Sequence, residues 1–209
     1  AEVVAFLAGI SVVEAQADIE KFKALKQKEP ELAQAAGSNE LQTMERLIAE
    51  GVSADAKDEK GKPAVYNAAY GGQLDALKLL RRHGANLEAT TSFGVTALMG
   101  AAANGKADCA EALLEWGADK DAADDDGMTA LHIAAYGGLE IARLLVEAQV
   151  DRAKKNKKGQ TALEFARTVE RWESEESKQA KAEVVALLEQ TDDASEVSQS
   201  LNLPTLIHT

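Results

Sequence analysis

The chain has 209 residues, 45% apolar and 28% charged, with only 4% aromatic and a net charge of −12. The acidic balance argues against nucleic acid as a partner, because binding to phosphates is driven by Lys and Arg displacing counterions. The shortage of bulky side chains and the abundance of Ala suit helices that approach closely and add core by stacking, so one elongated domain is expected rather than a globular α/β enzyme.

Residues 1–27 carry apolar residues at helical spacing, first Val3, Leu7 and Ile10, then Ile19, Phe22 and Leu25, with Asp18 as an N-cap between two helical pieces. These pieces are expected to cover an apolar end of the stack, or to present Val3, Val4, Phe6 and Leu7 to a partner. The opening apolar stretch contains Glu2 and falls far short of the roughly 20 residues that span a bilayer, so no transmembrane segment is expected. A start at Ala1 fits Met removal, a removed targeting peptide or a longer chain equally well. The single cysteine, Cys109, cannot form an internal disulfide and favours a reducing compartment, such as cytoplasm or an organelle stroma or matrix.

From residue 28 to 190 one frame recurs. It is clearest around Gly127, which is followed by Thr129-Ala130-Leu131-His132, paired alanines, a Gly-containing turn and an apolar run ending in Leu144-Leu145. Gly61, Gly94, Gly127 and Gly159 open successive copies at spacings of 33, 33 and 32 residues, and a fixed period of this size marks a stacked repeat. The copies fall at 28–60, 61–93, 94–126, 127–158 and 159–190, the first being degenerate. Each reads as two antiparallel helices and an extended connector. Pro30 and Pro63 stand where Thr96, Thr129 and Thr161 do, at the entrance to the first helix, where a missing N–H removes no intrahelical bond. Gly84 and Gly117 follow the second helices, where a left-handed residue ends a helix. Gln149 takes that place in the fourth copy, which is also one residue short between Gly138 and Leu139, so altered stacking is expected there. In the fifth copy about ten extra residues, including Glu170 to Lys178, precede Val184 to Leu188 and are expected to lengthen the terminal helices. Residues 191–209 lack the frame and read as a tail, polar and then apolar around Pro204.

The agreement of glycine, threonine, alanine and leucine positions over residues 28–190 resembles the ankyrin repeat. That resemblance implies an all-α solenoid of helix-turn-helix units with hairpin-like loops, flanked here by extra N-terminal helices and a C-terminal tail. It also implies a concave face built from loop tips and first helices, and a binding module rather than a catalyst. Thr129 and His132 match the family's Thr-Pro-Leu-His signature, whose side chains hydrogen-bond to hold loop and helix together. By the same resemblance Glu59, Lys60, Lys62 and Tyr70, then Phe93, Val95 and Asn104, then Asp125, Asp126, Met128 and Tyr136 line the concave face. Tyr70, Phe93, Val95, Asp125, Asp126, Met128 and Tyr136 are the expected protein-binding residues, the apolar ones neighbouring one another across consecutive repeats. Leu203, Leu206 and Ile207 join them as a tail that docks on the array or on a partner.

Motifs for chemistry fail on inspection. Gly100 to Lys106 has the glycine and lysine spacing of a phosphate loop, but Ala107 stands where a Ser or Thr must reach Mg²⁺, and the segment runs through a helix rather than joining strand to helix. Asp119, Asp121 and Asp124 to Asp126 form the densest acidic cluster, yet a calcium-loop register about Gly127 puts Ala122 and Ile133 at ligand positions. His83, His132 and His208 are scattered and give no metal-ligand spacing. No catalytic residue, cofactor or metal is expected. The functional expectation is a protein-interaction module: a scaffold or accessory subunit of a larger assembly, with peripheral association to a membrane complex left open. The alternative is a reversible regulator or chaperone of one client. Arg152, Lys154, Lys155, Lys157 and Lys158 gather positive charge on the last connector, either neutralised by the acidic insertion or docking an acidic protein or membrane surface.

Overall fold

The computed structural model describes residues 12–136, 138–168 and 178–189. The expectations for Val3, Val4, Phe6, Leu7 and Ile10, for the insertion from Glu170, and for Leu201, Leu203, Leu206 and Ile207 concern positions outside the described residues. The described residues are helical with no β-strand, and Lys57 and Pro63 form an isolated antiparallel bridge. They fall into two compact units, one ending at Ala118 and the other starting at Asp119.

The first unit contains α1 (Val12–Gln27), α2 (Glu29–Ser38), α3 (Leu41–Glu50), α4 (Ala64–Gly71), α5 (Leu74–Arg82), α6 (Ala97–Ala103) and α7 (Ala107–Glu115). The first helices α2, α4 and α6 pack in succession, and the second helices α3, α5 and α7 pack in a parallel row. Small side chains set the spacing of the inner row: Ala35, Ala36, Ala68, Ala69, Ala101 and Ala102 are all buried. The approach is close enough that a Cβ on Gly100 would lie 2.9 Å from the ring of Tyr66. The outer helices bury methionine and leucine side chains. Met44, Leu47, Leu77, Leu80 and Leu113 are inaccessible to solvent, each such side chain stabilising the fold by about 1.5–3 kcal/mol. Side-chain amides tie neighbouring copies together: Asn67 Nδ2 donates to the Ala33 carbonyl at 3.1 Å, Asn104 Nδ2 to the Tyr70 carbonyl at 2.7 Å, and Asn39 Oδ1 accepts from the Ala76 N–H at 3.1 Å.

The second unit contains α8 (Ala130–Ala134), α9 (Leu139–Glu147), α10 (Ala162–Thr168) and α11 over residues 178–189. Helix α8 packs on α9 and α10. Ile141, Ala142, Leu145, Ala162, Ala166, Val184 and Leu188 form its core.

Three sequence expectations are modified or given a physical basis. Asp18 is not an N-cap: α1 runs unbroken from Val12 to Gln27, because good helix formers flank an exposed Asp18 on both sides. Within that helix Phe22 faces solvent, 61% exposed, with Lys26 Nζ 5.9 Å above its ring. Leu25 is the residue that reaches the turn after α3, lying within van der Waals reach of the Gly51 position. The residue missing from the fourth copy is taken out of the turn between its helices. Helix α8 has 5 residues where α6 has 7, and the Gly138 N–H returns to Ala134, whereas Lys106, Gln73 and Glu40 return five residues to Ala101, Ala68 and Ala35. Ala134 and Ala135 stay buried through this change.

Gln149 adopts the left-handed backbone of the glycines it replaces, at φ 57°, beside Gly84 at 77° and Gly117 at 83°. A residue with a Cβ is held there at a cost of about 1 kcal/mol. Gln149→Gly is therefore expected to raise, and Gly117→Gln to lower, unfolding stability by about 1 kcal/mol each. Urea denaturation of the full chain checks both signs.

Candidate functional site

Four loops precede the first helices of their copies, and each begins with a residue whose side-chain oxygen accepts two backbone N–H groups from its own loop. Asp58 Oδ1 accepts from Lys60 and Lys62, both at 2.9 Å. Thr91 Oγ1 accepts from Phe93 and Val95, both at 3.3 Å. Asp124 Oδ1 accepts from Asp126 at 2.9 Å and Met128 at 2.8 Å, and Asn156 Oδ1 from Lys158 at 2.9 Å and Gln160 at 3.1 Å. The backbone closes each loop as well: Asp58 N–H donates to Lys62, Thr91 to Val95, Asp124 to Met128 and Asn156 to Gln160. Side chains of this kind satisfy a turn from within and free it from any need for a neighbour. This shared role is not visible as a sequence motif, since Asp, Thr, Asp and Asn share an acceptor oxygen rather than an identity.

The consequence is a fixed backbone with variable tips. The two residues at each tip are exposed: Glu59 and Lys60, Ser92 and Phe93, Asp125 and Asp126, Lys157 and Lys158. The surfaces so presented are mixed, aromatic, acidic and basic in turn. Phe93 is 72% exposed, while Val95 is half-buried at the base of the same loop. In the second unit Met128 is half-buried, its Sδ 3.5 Å from Asn156 Nδ2, and the neighbouring loop is joined by a Lys157 N–H to Asp126 carbonyl bond. That contact is close: a Cβ on Gly127 would lie 3.0 Å from the Lys157 nitrogen. Asp119, Asp121 and Asp124 all accept from backbone N–H groups, Asp121 reaching Asp151 at 2.7 Å. The acidic cluster is thus largely spent on turns. Lys154 Nζ likewise donates to the Asp121 carbonyl, so part of the basic connector links one loop to the next.

The far ends of two first helices carry the tyrosines. Tyr70 is 43% exposed and stacks on Tyr66, ring centroids 5.8 Å apart. Tyr66 is itself buried, with Lys62 Nζ 5.5 Å from its ring. Tyr136 is 51% exposed and leans on Phe165 at 5.6 Å. Beside the first of these loops an open cleft of about 580 Å³ lies between α2 and residues 58–62. Gln34, Ser38 and Asn67 line it with Glu59, Lys60 and Lys62. The first three were not among the expected groove residues.

His132 is buried and structural. Its Nε2 lies 3.0 Å from the Gln160 carbonyl, which can only accept, so Nε2 carries the proton. Nδ1 then accepts from the Thr129 hydroxyl at 2.9 Å and the Thr129 N–H at 3.3 Å, while Thr129 Oγ1 caps α8 through the His132 N–H. One copy later Thr161 and Glu164 make the same box, and Glu164 is held below the ordinary carboxylate value chiefly by the Thr161 N–H. Cys109 is buried, and burial pushes its thiol up. Among the described residues no helix is long and apolar enough to cross a membrane, and no cluster of His, Cys, Asp or Glu is arranged to hold a metal.

The family profile described as Ankyrin repeats (3 copies) matches residues 32–124 and 118–171. The chain belongs to the ankyrin-repeat family, and its all-α fold is the one that family implies. Ankyrin repeats are generally protein–protein interaction modules, and the family is typically non-catalytic. Among curated proteins none matches this chain.

Burial, followed by the neighbouring Tyr70 and Asp58, raises the pKa of Tyr66 above the ordinary phenol value of about 10. The protonated phenol therefore contributes stability that is present below about pH 10 and is lost as pH rises through the higher folded value. In an alkaline titration followed by near-ultraviolet phenolate absorbance, the signal removed by Tyr66→Phe is expected to be the part that rises above the ordinary range.

Proposed function

We propose that the chain is a protein–protein interaction subunit of a larger assembly, which it holds through the aromatic side chains at its loop tips and first-helix ends. The layout that goes with this reading is a helical cap over 1–27, five repeats over 28–190 and a tail over 191–209. The supporting observation is the exposure of Phe93, Tyr70 and Tyr136 on backbone that is already hydrogen-bonded within itself. Exposed aromatics on a rigid support bind at low entropic cost, and such anchors concentrate interface energy. Asp125 and Asp126 add a charged tip that orients a partner without supplying much affinity. Val95 and Met128 shape the base of the loops, and Leu203, Leu206 and Ile207 are assigned to a tether that extends the contact.

Tagged wild-type chain and a Phe93→Ala/Tyr136→Ala variant, purified side by side from the source, test the reading. Proteins held in stoichiometric amount by the wild type are expected to be lost from the variant while its melting temperature stays unchanged. Each anchor removed is expected to weaken binding by about 2 kcal/mol. Equal retention by both chains would sink the assignment of the aromatic surface. Recovery of the wild type as a lone monomer would sink the assembly.

A further inference from the structure

The outer helices of the first unit hold a group of cations that form no ion pair among the described residues. Lys78, Arg81 and Arg82 on α5 and Trp116 at the end of α7 line one open hollow of about 470 Å³. The Arg81 guanidinium carbon sits 4.6 Å from the centre of the Trp116 ring. Elsewhere in this acidic chain Arg46 bridges Glu31 and Glu50, and Arg167 meets Glu189. Here the pairing is missing although carboxylates are close in sequence. Asp75 shares α5 with the cations, and Asp108, Glu111 and Glu115 stand on α7, yet none forms an ion pair with Lys78, Arg81 or Arg82. Three like charges within one turn and a half of helix repel one another, so their juxtaposition lowers stability unless an anion relieves it.

Trp116 gives the cluster a direction. A guanidinium already held over an indole by a cation–π contact loses little further rotamer freedom when a carboxylate pairs with its planar fork. Bidentate Arg–carboxylate geometry is then available with charge assistance from Arg82 and Lys78. The size of the group selects the kind of anion. Binding of an extended polyphosphate scales with the number of phosphates neutralised and needs more cations than this group of three supplies, whereas a short acidic peptide needs only this local group.

We propose that the hollow between α5 and Trp116 is a docking site for an acidic segment of a partner protein, whose carboxylates pair with Arg81, Arg82 and Lys78. It lies on the outer helix row and is separate from the loop-tip aromatics. Its failure would therefore leave the aromatic surface untouched.

A fluorescein-labelled peptide of alternating Glu and Gly, titrated with the full-length chain at low ionic strength, provides the test. Trp172→Phe, which leaves Trp116 as the sole indole, supplies a second, local signal. The peptide is expected to bind and to perturb Trp116 emission. Arg81→Gln/Arg82→Gln is expected to weaken binding at least roughly tenfold. Arg81→Lys keeps the charge but removes the planar fork and is expected to weaken it roughly threefold. A variant with Lys154, Lys155, Lys157 and Lys158 all changed to Gln is expected to bind like wild type. Absence of binding, equal loss in the four-lysine variant, full binding by Arg81→Lys, or competition by an oligothymidylate at equal concentration would each overturn the proposal.

Discussion

A single acceptor oxygen at the start of each loop is the interaction on which the rest depends. Asp58, Thr91, Asp124 and Asn156 each take two N–H groups that a five-residue turn cannot satisfy with its own carbonyls. Buried or constrained amides without partners destabilise a loop by about 1–3 kcal/mol apiece. Satisfying them from inside lets the tip side chains differ freely, which is why one backbone presents Glu-Lys, Ser-Phe, Asp-Asp and Lys-Lys in succession. Among the described residues no buried side-chain nitrogen or oxygen lacks a hydrogen-bond partner.

The helices beneath obey a second constraint, close approach of the inner row. Gly71 meets the Gly37 carbonyl and Gly100 meets the Tyr66 ring at distances that leave no room for a Cβ. Where Asn104 occupies the position of Gly71, its side chain turns the same proximity into a hydrogen bond to Tyr70. The entrance to each first helix shows comparable substitution within one role. Pro63, Thr96, Thr129 and Thr161 all stand there; His132 and Glu164 complete the box at Thr129 and Thr161, while Thr96 only accepts from the Met99 N–H. His132 goes further by reaching the Gln160 carbonyl, so it joins its own helix to the next loop.

The repeat period, the paired alanines and the glycines after the second helices were all legible in the sequence, since each encodes a local requirement that recurs at fixed spacing. Asp18 was misread because an N-cap preference of about 1 kcal/mol is a local rule, and good helix formers on both sides of it carry α1 straight through. Phe22 was misread because apolar periodicity marks a face without saying whether anything covers it. The role of the loop-initiating residues is not legible in the frame because they share acceptor chemistry and not identity. The hollow at Arg81 could not be read at all: the cations are visible in α5, but the indole that orients one of them comes from the following copy.

Amide hydrogen exchange in an Asp124→Ala variant of the full chain tests the central claim most directly, with Asp124→Asn as the control that keeps an acceptor oxygen. The account predicts that the N–H groups of Asp126 and Met128 exchange roughly fivefold faster in Asp124→Ala, as loss of a bond contributing about 1 kcal/mol requires. Asp124→Asn should exchange like wild type, and protection in α9 should be the same in all three chains. Unchanged protection of Asp126 and Met128 in Asp124→Ala would contradict it.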